Sequence, residues 1–135
     1  MIGPSEINAL RQAMRDIARK KGQFTVFALL RRPEARGGWD LVVSAPWLES
    51  GKLKAVSELV SLLSETIGDE PIKDLSRIAT VRRNDEFVTF LLNNLPVEDG
   101  ELHVGSSDLQ QLNVEDAIIF RAKDLESRPA PSRTT

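Results

Sequence analysis

Apolar side chains fall at Ile7, Leu10, Met14, Ile17 and Ala18, a spacing that puts them on one face of a helix. Ser5 reads as the N-cap of this helix and Gly22 as its stop. FTVFALLRR (24–32) follows, short and almost continuously apolar, with glycine upstream and Pro33 after it, which predicts a strand buried on much of both faces. After PEARGG, WDLVVSAP (39–46) predicts a second strand, so the two form a hairpin. Ser50 and Gly51 open a second helix with Leu53, Val56, Leu59, Val60, Leu63 and Ile67 on its inner face, closed by Gly68 and Pro71. RIATVRR (77–83) and EFVTFLL (86–92) read as two more strands joined at Asn84-Asp85, residues that tolerate tight turns. Further on, ELHVG (101–105) predicts a short strand and SSDLQQL (106–112) a helical turn. AIIFRAK (117–123) is assigned as an edge strand on its Ile-Ile-Phe, although Val114, Ile118, Ala122 and Leu125 also make a helical stripe.

The expected order is therefore α-β-β-α-β-β-(β)-β. Short connections favour antiparallel neighbours, and two amphipathic helices suffice to cover one sheet face. The fold class expected is a two-layer α+β domain, with a mainly antiparallel sheet of five strands (range four to six) and both helices on one face. Residues 1–123 are assigned to one domain, and 124–135, which lack apolar anchors, to a disordered C-terminal tail. A chain of 135 residues can bury roughly two thirds of its unfolded surface without disulfides or metals.

Composition narrows the chemistry. The chain is 41% hydrophobic and 28% charged, the balance of a globular domain, and it has no cysteine for a disulfide, a thiolate nucleophile or a sulfur-ligated zinc. The N-terminus lacks the apolar core of a signal peptide, and no run of about 18 apolar residues occurs, so a cytoplasmic protein with no membrane association is expected. Net charge is −2, which sets up no global attraction to nucleic acid, yet charge is unevenly placed. Residues 1–36 carry eight Lys or Arg against three acids, whereas 84–120 carry eight acids and no Lys or Arg. Arg11, Arg15 and Arg19 recur every four residues along the first helix, a basic stripe suited to steering an acidic partner.

The motifs for catalysis are incomplete. His103 lies two residues from Glu101, so the pair can project from one strand face as an acid and base, but Ser106 and Ser107 lack the G-x-S-x-G elbow. Gly51-Lys52 fails as a phosphate loop, because Pro46 stands where its first glycine is needed and Leu53 where a Ser or Thr would bind magnesium. No cofactor or metal is expected. Should the protein be a small-molecule sensor or minor enzyme, its pocket would lie between the sheet and residues 93–116 and use Asp40, Glu101 and His103.

Alternation supplies the main functional expectation. In the second strand Trp39, Leu41 and Val43 point one way and Asp40, Val42 and Ser44 the other, so Trp39 is expected beneath the helices and Trp47 at the start of the second helix. In the first strand Phe27 and Leu29 point away from Val26 and Ala28. Two helices cannot cover both sheet faces, and an uncovered apolar face exceeds what soluble monomers tolerate. A non-enzymatic protein–protein interaction domain follows, a regulatory or accessory subunit that pairs with itself as a homodimer or with another protein. Phe27, Leu29, Val42 and Trp47 would be its anchors, unless residues 93–123 fold back over the face.

Overall fold

The computed structural model describes residues 3–32, 38–49, 53–69, 72, 75–105, 109 and 114–125. Helix α1 (Pro4–Lys21) is followed by strands β1 (Val26–Arg31) and β2 (Trp39–Ser44), then a 3-10 turn at Pro46–Leu48 and helix α2 (Leu53–Ile67). Strand β3 (Leu75–Thr80), helix α3 (Glu86–Asn94) and strands β4 (Leu102–Gly105) and β5 (Asp116–Ala122) complete the order. Ser50, Gly51, Lys52, Ser106, Ser107 and the tail beyond residue 125 lie outside the described residues.

The α+β class and the five strands agree with expectation, whereas the sheet is mixed, in the order β3-β2-β1-β5-β4. β1 and β2 form the expected antiparallel hairpin, Leu29 opposite Leu41. β5 pairs antiparallel with the other side of β1 and with β4. β3 runs parallel to β2, reached through α2, because a parallel neighbour needs a crossover long enough to reverse the chain.

The largest departure is EFVTFLL, a helix and not a strand. Asp85 is its N-cap: the carboxylate accepts a hydrogen bond from the Phe87 amide at 2.8 Å, and Glu86 adds an acid in the first turn. Val88 and Leu91, three apart, are buried, with Phe87 and Phe90 packed beside them. The expected second hairpin therefore does not form. Smaller corrections apply to the other helices. Gly3, not Ser5, is the N-cap of α1; Pro4 takes the first helical position, where no amide donor is required, and Glu6 accepts from the Gly3 amide at 2.9 Å. Gly22 ends α1 at φ 116°, a conformation open to glycine, and its amide closes on the Ala18 carbonyl. The buried stripe of α2 is Ala55, Leu59 and Leu63, while Leu53, assigned to that face by spacing, is 84% exposed at the first turn.

Two apolar clusters lie on opposite faces of the sheet. α1 and α2 cover the first, which contains Phe24, Phe27, Leu29, Leu41, Val43, Ile118 and Phe120. The second holds Val26, Ala28, Leu30, Val42, Ala117 and Ile119, and is covered by Val88 and Leu91 of α3 together with Leu109 and Val114. Helices thus pack on both faces, and the two-layer expectation gives way to a sheet between helical layers. Phe27 and Leu29 are completely buried and Val42 nearly so, which removes them as partner anchors. The argument for self-association from an uncovered second face loses its basis with them: the chain covers that face itself, using segment 86–94 as well as residues from 93–123.

Candidate binding cleft

The residue that organises the candidate site is Arg121. Pairing between β1 and β5 slips by one residue, since Phe27 stands opposite Arg121 and Ala28 opposite Ile119, leaving Phe120 as the extra residue of a β-bulge. Strict alternation would send Arg121 to the same side as Ile119, toward α3. The bulge instead places it with Phe27 on the side of α1, a known effect of bulges in re-aiming a side chain. The residue is only 7% exposed. Its Nε donates to the Phe24 carbonyl and its Nη1 to the Glu98 carbonyl at 2.9 Å. Burial pushes its pKa down, opposed by the fields of Glu98 and Asp99, but a guanidinium stays charged at any ordinary pH. No carboxylate among the described residues forms an ion pair with it, and its Nη2 makes no hydrogen bond among them.

Arg121 lines an open cleft of about 260 Å³ between α1 and the segment before β4, together with Arg15, Arg19, Gln23, Glu98 and Asp99. The stripe found in the sequence borders this space, though much of its charge is engaged within the chain. Asp99 accepts from Arg11 Nε at 2.9 Å and from Arg15 Nε at 2.8 Å, an arrangement that fastens the 97–99 segment to α1. The Arg15 hydrogen bond, then that of Arg11, holds the Asp99 carboxyl below its ordinary pKa against the opposing effect of burial. Arg19 pairs with Asp16, and Glu98 with Lys123 at 3.2 Å. Of the lining residues, Arg15, Arg19 and Arg121 face Glu98 and Asp99, leaving an excess of positive charge.

The other expected groups are dispersed. His103 Nε2 and Glu101 Oε2 lie 2.7 Å apart on and beside edge strand β4. Asp40 is on the opposite face of the sheet, because it pairs in register with Leu30 of the second cluster while His103 pairs with Ile118 of the first. Asp40 is completely buried and bonded to Arg32 and Arg77, so Asp40, Glu101 and His103 do not converge on one pocket. A separate cleft of about 420 Å³ lies beside His103, walled by Ile7, Trp39, Val104 and Asp116. There Arg31 is bonded to Asp116 and lies 5.9 Å from the Trp39 ring centroid.

Trp39 and Trp47 both pack, half-buried, against the helix-side cluster. The Trp47 ring meets Phe24 edge-on at 6.1 Å, and the Lys21 amine lies 5.5 Å from its centroid. Of the four expected apolar anchors, only Trp47 retains substantial exposure. Arg121 was not among the expected site residues; its one sequence signal is a charge that interrupts the apolar run 117–122. Among the described residues, no helix is long and apolar enough to cross a membrane. Comparison with protein-family models, with curated proteins and with solved structures finds no match to this chain.

Proposed function

We propose that this protein is a small non-enzymatic interaction domain that docks an acidic segment of a partner protein at the basic cleft between α1 and β5. The observation that carries this reading is Arg121, a nearly buried guanidinium with no ion-paired carboxylate among the described residues and one nitrogen left for a ligand. The desolvation of that charge is already met by folding and by two carbonyls, so an incoming anion gains the attraction without that part of the cost. Arg19, exposed at the rim, adds steering that salt should weaken.

A fluorescent glutamate-rich peptide tests it. Binding is expected at low ionic strength, falling as salt rises, and falling further in Arg19→Glu, whose exposed position leaves folding intact. Absence of binding at low salt, or binding indifferent to Arg19→Glu and to Arg121→Lys alike, would reject the cleft as the docking site.

A second reading rests on the cleft beside His103. Its aromatic wall at Trp39 and its polar rim at His103 and Asp116 suit a small planar molecule better than a protein, making the domain a sensor. Screening a library of small aromatic compounds by Trp39 fluorescence, with Trp47→Phe as background, distinguishes this reading: saturable quenching lost in His103→Ala favours it, and no response from any compound counts against it.

A further inference from the structure

We infer that the basic cleft is built for a phosphomonoester dianion, an inference that rests on the anion-binding reading above and names the group bound. Three observations lead there independently of Arg121's burial alone.

The first is charge. Of the residues that line the cleft, Arg15, Arg19 and Arg121 face Glu98 and Asp99, so the lining keeps a positive balance. A phosphomonoester near neutral pH carries close to two negative charges, so Arg19 and Arg121 attract it more strongly than a singly charged side-chain carboxylate.

The second is that the carboxylate role is already filled. Asp99 takes both Arg11 Nε and Arg15 Nε, and Arg15 Nη2 reaches its other oxygen at 3.2 Å. An external carboxylate competing for these arginines would only exchange one planar monoanion for another. The donors that Asp99 does not use are elsewhere in the same cleft: Arg121 Nη2, the free nitrogens of Arg19, and the Gln23 amide.

The third is the orientation of Gln23. Its Oε1 accepts from the Phe24 amide at 3.2 Å, which fixes the carbonyl end of the side chain toward the backbone and leaves the NH₂ end for the cleft. Phe24 also supplies the carbonyl that holds Arg121 Nε. One residue just before β1 therefore sets two donors, Gln23 and Arg121, while Arg19 contributes a third from α1. Donors from three separate elements line one cleft, an arrangement that suits the three terminal oxygens of a tetrahedral phosphate better than the plane of a carboxylate. The volume of about 260 Å³ accommodates one such group and the atoms next to it.

The phosphate can belong to a phosphorylated side chain or to a small metabolite, and paired probes separate these sources. Isothermal titration of the full chain compares a glutamate-rich peptide carrying a central phosphoserine with the same peptide carrying serine, and glycerol phosphate alone. We expect the phosphorylated peptide to bind at least about tenfold more tightly than its serine form, the difference typical of one or two charge-assisted hydrogen bonds. Gln23→Glu, an exposed change that replaces a donor with a negative charge, should remove that advantage while leaving the unfolding midpoint unchanged. Arg121→Lys, which keeps the charge and loses the fork, should reduce it about tenfold. Glycerol phosphate binding as tightly as the phosphopeptide assigns the site to a free phosphate ester; binding much more weakly assigns it to a modified partner. Equal affinity for the phosphorylated and serine peptides would overturn the phosphate assignment and leave the acidic-partner reading standing. If neither peptide nor glycerol phosphate binds, both readings fail.

Discussion

Asp40 and Arg77, neighbours in the parallel register of β2 and β3, are joined at 3.2 Å, and the Asp40 carboxylate is completely buried. Arg32 holds the same carboxylate from beyond the end of β1. One buried negative charge thus ties β2 to β3 and to the end of β1, and Arg77 extends toward solvent with 58% of its side chain exposed. Removing the carboxylate leaves Arg77, already largely exposed, able to turn to water, so the loss should fall at or below the lower end of the range for broken buried pairs. Asp40→Ala is expected to cost about 2 to 3 kcal/mol in urea unfolding. A loss under about 1 kcal/mol would show that the arginines never depended on it.

Phe27 tests whether the helix-side face belongs to the interior. It touches Phe24 at 5.0 Å and Phe120 at 6.0 Å between ring centroids, with no exposed surface. Phe27→Ala should cost about 3 to 5 kcal/mol through lost burial and a cavity. Phe27→Asp should give an unfolded chain by circular dichroism at every concentration. A folded, monomeric Phe27→Asp protein, derived from an oligomeric parent, would return Phe27 to an intermolecular interface.

The cap on α3 is a smaller and cleaner test. Asp85 satisfies the Phe87 amide and places a negative charge at the helix start, so Asp85→Ala should lower stability by about 1 kcal/mol and Asp85→Asn by much less. Chemical denaturation of the two variants side by side measures this; an alanine variant as stable as the parent would mean that packing of Val88 and Leu91 alone sets the helix.

Asp99 predicts how stability follows pH. Its carboxyl is depressed by the hydrogen bond from Arg15 and then by that from Arg11. A carboxyl depressed on folding stabilises the native state fully above its unfolded pKa, and that contribution is lost as pH falls through the folded value. The advantage of the parent over Asp99→Asn should therefore be complete at neutral pH, begin to shrink near pH ~4, and vanish only in stronger acid. Solvent reaches the carboxylate, which keeps the effect modest. Thermal unfolding of both proteins across the acid range tests this, and a gap that stays constant throughout would contradict it.

What the sequence determined by itself were the elements whose periodicity is local and unambiguous. Ile7, Leu10, Met14 and Ile17 admit only a helix, and Trp39, Leu41 and Val43 only a strand with that side facing the helices. The ambiguous segments were settled by tertiary structure. In EFVTFLLNN, Phe87, Val88, Phe90 and Leu91 fit a strand and a helix alike, and Asp85 fits a turn and an N-cap alike. β5 occupies the place beside β1, β3 lies parallel on β2, and the remaining exposed apolar face required a cover, which a capped helix provides. The arginine stripe on α1 was visible as spacing, but Arg121 was not, because alternation counted from Ile119 assigns it to the wrong face. Its position depends on one extra residue in the pairing of β1 with β5, and a bulge is a property of two strands together, absent from either strand's own sequence.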